Sequence, residues 1–172
     1  MVQPHLLLTA LMLCSSPACS PGSPVPWSPG HQLKEILRLL VQLQMTPSHK
    51  CLDDNRPEFR LTIQKTEATC VNQLMLQHIF NLFKTQEARA AWDTQVLKEL
   101  LSRLAESLEP LVKSREEPVF CTQPRLALLK YFRSRFCYLQ KEQYSSCAWE
   151  IVREDVRKSL SHISDFHTEV SN

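Results

Sequence analysis

Glycine is nearly absent from this chain. Its 172 residues include two, Gly22 and Gly30, both in the stretch "CSPGSPVPWSPG" near the N-terminus. Past Gly30 almost nothing supplies the positive φ angles that tight two-residue hairpins need, which argues against a hairpin-built β fold. An excess of either charge is lacking too: 20 basic residues stand against 18 acidic ones, a formal net charge of +2. That balance carries no polyelectrolyte signal for nucleic acid. There is no CxxC, and the histidines do not fall at zinc-ligand spacings. GxSxG, HExxH and P-loop patterns are missing, and Glu67 and Glu109 lie far apart with no partner motif. Nothing therefore points to an enzyme, a metal or a cofactor. No N-x-S/T sequon occurs, so N-glycosylation is not expected.

Long apolar runs are also missing. The run from Leu6 to Leu13 is too short to cross a bilayer. It ends in small residues, with Ser16 and Ala18 three and one positions before a plausible cut, so residues 1–18 read as a signal peptide. The expectation is a secreted protein without membrane insertion, with residues 19–172 forming a single domain. A chain of that size can bury roughly 70% of its extended surface, enough for a core without metal. Secretion turns cysteines toward disulfides. Of the seven, Cys14 leaves with the signal, and Cys19, Cys51, Cys70, Cys121, Cys137 and Cys147 remain. Six cysteines allow fifteen full pairings, and the sequence alone does not choose among them.

What is abundant is Leu, Gln, Glu, Lys and Arg, the good helix formers. The spacing predicts five helices. The first runs from about His31 to Met45, with Leu33, Ile36, Leu37, Leu40, Val41 and Leu43 as a wide apolar face. Pro47 and Pro57 bracket a loop that carries Cys51. The second helix covers about Thr69 to Thr85, with Leu74, Ile79, Leu82 and Phe83 recurring at helical intervals. The third runs from near Ala88 to about Leu108, with Leu97, Leu101, Leu104, Leu108 and Leu111 as a bundle seam. After "VKSREEPVFCTQPR" the fourth runs from about Arg125 to Lys141, with Leu126, Leu129, Phe132, Phe136 and Leu139 turned inward. The fifth starts at a cap supplied by Ser145 or Ser146 and reaches about Ile163. Long connections between strongly apolar helices suit an all-α, up-up-down-down bundle. In that bundle the first and second helices are parallel, the third and fifth are parallel, and the fourth opposes the third. Trp92 and Trp149 read as core residues, and His78 as a residue at the core's edge.

On the fifth helix Ala148, Ile151, Val152, Val156, Leu160 and Ile163 form the inward face. Glu150, Arg153, Glu154, Arg157, Lys158 and Ser161 are expected on the opposite, outward face, with Arg153 and Arg157 stacked four apart. Cys147 sits in the first turn. A disulfide from there to a loop cysteine would fasten that loop beside the charged face as one rigid surface.

"CAWEIVREDVRKS", residues 147–159, resembles the C-terminal CAWE(V/I)VR segment of the type I interferons. "QHIFNLFKTQEARAAWD", residues 77–93, resembles their QxIFNLFxTxxxxAAWD segment, and "QKTEAT" at 64–69, "KYF" at 130–132 and "YLQKEQYSSCAWE" at 138–150 also fit. The resemblance covers about residues 31–163. It implies a monomeric helical cytokine that binds a two-subunit cell-surface receptor and triggers an antiviral JAK-STAT programme. It also implies a Cys51–Cys147 bond, and a second bridge from Cys19 toward the end of the third helix. The position expected for that second partner is Ser114, so Cys121, seven residues on, is the stand-in. Cys70 and Cys137 have no counterpart; they could pair with each other, or one could be free and buried.

The family's high-affinity receptor subunit is held by the first inter-helix loop and the last helix. The matching positions are Leu52, Asn55 and Arg56 in the loop and Arg153, Glu154, Arg157 and Lys158 on the helix. Glu154 and Arg157 replace residues that are commonly smaller or apolar in the family. The low-affinity subunit packs on the second, third and fourth helices, where Gln77, Lys98, Arg103, Arg133 and Lys141 are the exposed candidates. Two other readings keep the helices but change the partner: a helical cytokine with a different receptor, and a bundle whose apolar faces cover lipid.

Overall fold

The computed structural model describes residues 29–45, 47–51, 64–113 and 121–170. Within them the chain forms helices α1 (Pro29–Gln42), α2 (Ala68–Phe83), α3 (Gln86–Ala91), α4 (Thr94–Lys113), α5 (Thr122–Lys141) and α6 (Ser146–Val170). Short 3₁₀ turns lie at Ser48–Cys51 and Lys65–Glu67, and there is no strand among the described residues.

The expected third helix is two helices. Trp92 is extended (φ −104°, ψ 157°), and Asp93 starts a new helix by accepting the amides of Gln95 at 3.1 Å and Val96 at 2.9 Å. A side-chain acceptor at an N-cap satisfies amides that have no intrahelical partner, so the break is locally stable. Thr85 and Ser145 cap α3 and α6 in the same way through the amides of Ala88 and Ala148. Helix α4 runs through Pro110, three residues before its end.

Helix directions follow from paired contacts. Arg38 of α1 lies 3.6 Å from Glu99 of α4, and Glu35, one turn back, feels Arg103, one turn on, so α1 and α4 are antiparallel. Leu40, near the end of α1, meets Arg153 near the start of α6, so this pair is antiparallel as well. Tyr131 reaches Asp155 and Ser159 while Arg135 reaches Asp155, which makes α5 and α6 antiparallel. Cys70 joins Cys121 just before α5, and His78 further along α2 stacks on Phe132 further along α5, which makes α2 and α5 parallel. Helices α1, α2 and α5 therefore point one way and α4 and α6 the other. The four principal helices α1, α2, α4 and α6 form an up-up-down-down bundle, with α5 flanking α2 and α6.

One core runs through the bundle. It takes Leu33, Ile36 and Leu40 from α1, Leu43 from the turn just after it, Val71, Met75, Ile79 and Phe83 from α2, Leu97, Leu100 and Leu104 from α4, and Val152, Val156 and Leu160 from α6. Trp92 and Trp149 are both buried, with ring centroids 6.0 Å apart and Phe83 within 6.3 Å of each. The apolar faces of these helices are spent on one another, which leaves little for a lipid-covering arrangement.

Two expectations about faces fail. Val41 is exposed at the end of α1. On α5, Leu126 and Leu129 are 50% and 52% exposed and Phe136 is also exposed, while Leu128, Tyr131, Phe132, Arg135 and Leu139 turn inward. The helix is rotated from the expected setting because its polar side chains find partners. The Arg135 guanidinium pairs with Asp155 of α6 and lies over the Tyr131 ring at 4.6 Å, and the Tyr131 hydroxyl donates to Asp155 at 2.9 Å. Burial pushes the Tyr131 phenol well above its ordinary pKa, which keeps it a donor.

Candidate binding surface

Helix α6 carries the candidate residues, and its surroundings decide which of them meet solvent. It packs against α1, α2 and α5, so more than a single apolar stripe is covered. Ala148, Ile151, Val152, Val156, Leu160 and Ile163 are buried, as the sequence pattern predicts.

Glu150 and Arg153 correct the expectation of an outward charged face. Their side chains are 1% and 2% exposed. The Arg153 guanidinium makes a two-pronged contact with the Glu150 carboxylate and donates through Nη1 to the Leu40 carbonyl at 2.8 Å. Nη2 also approaches Glu154 at 3.4 Å. Arginine suits this position: its planar fork can bind a carboxylate with two parallel bonds and still reach a third acceptor. The local signal was present in the sequence. Arg153 is four residues from Trp149 and three from Val156, both buried, so it flanks the apolar stripe instead of opposing it.

The charges that do reach water lie one turn further on. Glu154 is half-buried and sits between cations: Arg157 donates to it at 2.7 and 2.8 Å, and Lys158 lies 3.9 Å away. The Arg157 guanidinium holds the Glu154 carboxyl below the usual carboxylate range, helped by the charges of Arg153 and Lys158. The same hydrogen bond raises Arg157. Lys158 is 61% exposed. Solvent meets a short mixed-charge strip: Lys158 outermost, Arg157 beside it, Glu154 beneath.

The first loop is fastened to this helix. Cys51 is bonded to Cys147 across a Cα–Cα distance of 5.1 Å, and Cys51 itself is buried. Leu52, Asn55 and Arg56 follow directly in sequence and lie outside the described residues. Cys121 pairs with Cys70, at a Cα–Cα distance of 6.2 Å, in place of the Cys19 that the family resemblance implied. The parallel course of α2 and α5 brings the start of α2 beside the start of α5, a proximity that sequence distance does not reveal. Cys19 lies outside the described residues, while Cys137 is unpaired among them and exposed, not buried.

A second surface lies on the far helices. Gln77 of α2, Lys98 of α4 and Arg133 and Lys141 of α5 are exposed, while Arg103 is half-buried and pairs with Glu106 at 3.2 Å. Lys98 borders a shallow groove with Arg89, Leu101, Ser102 and Ala105. The twenty positions of α5 hold no acidic residue, and its solvent side combines Lys130 and Arg133 with Leu126, Leu129 and Phe136. Leu126, Leu129 and Phe136, expected in the core from their spacing, are surface residues instead. Among the described residues no group of His, Cys, Asp and Glu side chains is arranged to hold a metal, and no helix is long and apolar enough to cross a membrane.

Residues 28–170 match the family model described as the interferon alpha/beta domain. The chain is 35% identical to interferon omega-1 of Equus caballus over 170 residues, covering 90% of this chain and 87% of the relative. It is 34% identical to interferon alpha-7 of Homo sapiens over 171 residues, with 91% and 90% covered. Interferon tau of Cervus elaphus is 38% identical over 176 residues, with 92% and 89% covered. Among solved structures, zebrafish interferon 2 superposes with a TM-score of 0.65 at 19% identity, over 78% of this chain and 96% of that one, a likeness of fold. The chain belongs to the interferon alpha/beta family and is a helical cytokine.

Proposed function

We propose that this protein is a secreted type I interferon that binds a two-subunit cell-surface receptor and starts an antiviral JAK-STAT programme. The carrying observation is the Cys51–Cys147 bond, which ties the beginning of the first loop to the first turn of α6. A loop closed onto a helix loses less freedom when it is captured, so more of the contact free energy appears as affinity. In this reading Leu52, Asn55 and Arg56 of the loop and Glu154, Arg157 and Lys158 of α6 face the high-affinity subunit. Arg153 lies underneath that strip. Gln77, Lys98, Arg103, Arg133 and Lys141, with the apolar side of α5, face the low-affinity subunit. Within that side Phe136 and Arg133 are of the residue types enriched at interfaces. The protein acts as a monomer, with residues 1–18 removed as a signal peptide.

The test is a reporter of interferon-stimulated transcription in cells of the matching species, beside cells lacking either receptor subunit. Induction that disappears in both deficient lines is expected. Induction that persists in either one, or none in the parental cells, ends this reading.

A further inference from the structure

We propose that Arg153 is a positioning residue for the high-affinity receptor face: it caps α1 from inside the protein and fixes where the first loop leaves the bundle. The inference rests on the receptor reading above and changes the part Arg153 plays in it.

The last carbonyls of a helix have no amide four residues on to bond them and must find partners elsewhere. At the end of α1 the Leu43 amide still bonds Leu39, but the Gln44 amide bonds Val41, one carbonyl beyond Leu40. The Leu40 carbonyl is taken by Arg153, 113 residues away in sequence. The guanidinium is held for this task by Glu150, itself buried. Cys147 lies six residues earlier on α6, a rise of about 9 Å, and holds Cys51. The first two turns of α6 thus grip both ends of the segment 40–51, the near end by a charge-assisted hydrogen bond and the far end by a disulfide. Leu43, buried in the core, pins the segment between them. Leu52 is the next residue after the second grip. Loss of the Arg153 grip frees the segment's near end while leaving every exposed charge in place.

A direct contact and a positioning role differ in salt dependence. An exposed cation in a receptor contact steers association, and its removal lowers the association rate and flattens the response to salt. A buried group removed together with its buried counter-ion alters no surface charge. The experiment uses the double variant Glu150→Leu with Arg153→Met, because apolar replacement of both members of a buried ion pair is commonly tolerated by the fold. Circular dichroism and an intact Cys51–Cys147 bond establish folding. Binding to the high-affinity subunit ectodomain is then followed at several ionic strengths. The expected result is a loss of at least about tenfold in affinity, carried by faster dissociation, with the salt slope of the association rate equal to that of the unaltered protein. Lys158→Ala serves as the contrast and should change that slope. Hydrogen exchange should show faster opening of the amides at residues 43 and 44.

A folded double variant that binds as tightly as the unaltered protein overturns the proposal, as does one with a flattened salt slope. Should the double variant not fold, Arg153→Lys retains the charge beside Glu150 but not the fork that spans it and Leu40. It should show the same unchanged slope with a smaller affinity loss, and unaltered affinity in that variant overturns the proposal too. The coupling test adds Cys51→Ser with Cys147→Ser. Both lesions loosen one segment, so their effects should not sum, whereas Lys158→Ala should sum with either; additive grip lesions overturn the proposal. If the unaltered protein does not bind the ectodomain, the receptor reading itself has failed, and hydrogen exchange at residues 43 and 44 still reports on the α1 cap.

Discussion

Helices α5 and α6 lie side by side, antiparallel, and each buries an arginine, yet they relate to their sequences in opposite ways. On α6 the apolar residues at helical spacing are the buried ones, and the deviation is a pair of charges drawn inside at the edge of the stripe. On α5 three of the five apolar residues of the expected stripe, Leu126, Leu129 and Phe136, are outside, and Arg135 with Tyr131 is inside. Helix α6 touches α1, α2 and α5 and is covered over much of its circumference. Helix α5 flanks the bundle, so packing constrains its rotation less and one polar cluster around Asp155 can set it. A helix with many neighbours can be read from its pattern. For one with few, a specific polar partnership can outweigh the pattern.

The comparison breaks first at the buried pair. Removing one partner alone, by Arg153→Ala or Glu150→Ala, breaks a buried ion pair and should destabilise the fold by about 3–5 kcal/mol. Denaturant titration measures it, and the double apolar replacement should recover most of the loss. A single variant costing under about 1 kcal/mol would mean that Arg153 is solvated in solution and that α6 is as simply patterned as its sequence suggests.

The rotation of α5 comes next. Leu128 and Leu129 are chain neighbours of identical chemistry, one fully buried and one 52% exposed. Leu128→Ala should cost about 2–5 kcal/mol, while Leu129→Ala should stay within about 0.5 kcal/mol. Thermal unfolding of the two variants decides between the observed setting of the helix and the one its apolar spacing suggests, which would not separate them in this order.

A smaller effect is expected at the turn between the two helices. The Tyr144 amide bonds the Leu139 carbonyl at 2.8 Å and the Gln143 amide bonds Gln140 at 3.1 Å, closing the end of α5 with Gln143 at φ 53° and Tyr144 at φ 54°. This is the Schellman arrangement, in which glycine is the usual residue at the left-handed position. In a chain so poor in glycine it is built from glutamine. Gln143→Gly should raise stability by about 1 kcal/mol, partly offset by the greater freedom of the unfolded chain. Unfolding midpoints measure it, and a destabilised variant would argue against the left-handed setting.

The smallest effect is a pH dependence. The Glu154 carboxyl titrates lower in the folded protein than in the unfolded chain, chiefly through its hydrogen bond from Arg157. Its contribution is therefore present above the unfolded carboxylate pKa and is lost as pH falls through the folded value. Solvent screening keeps it small. His78 acts in the same direction: burial holds its imidazole below the ordinary histidine value, so protonation on acidification favours the unfolded chain. The stability difference between the unaltered protein and Glu154→Gln should close as pH is lowered from neutral through the carboxylate range. A difference that stays constant down to low pH would remove the Arg157 partnership.

Much of this molecule was determined by the sequence itself. Scarce glycine and recurrent leucines made it all-helical, Ser145 or Ser146 marked the start of α6, and the apolar spacing of α6 and most of α1 named their core residues. The Asp93 cap was not among the expected helix starts, because leucine periodicity runs straight through it. These features are local, fixed by backbone bonding and side-chain spacing over a few turns. The tertiary structure decided what depends on neighbours. The side of α5 turned inward, the burial of Arg153 beneath the strip it was expected to join, and the pairing of Cys121 with Cys70 all depend on which groups the fold brings within a few ångströms. Helical period specifies a face but not the number of neighbours that cover it. Cysteine count specifies how many bonds are available but not which thiols meet. The direct physical reason is distance: hydrogen bonds, ion pairs and disulfides form only at contact, and contacts between residues 40 and 153 or 70 and 121 exist only once the helices have packed.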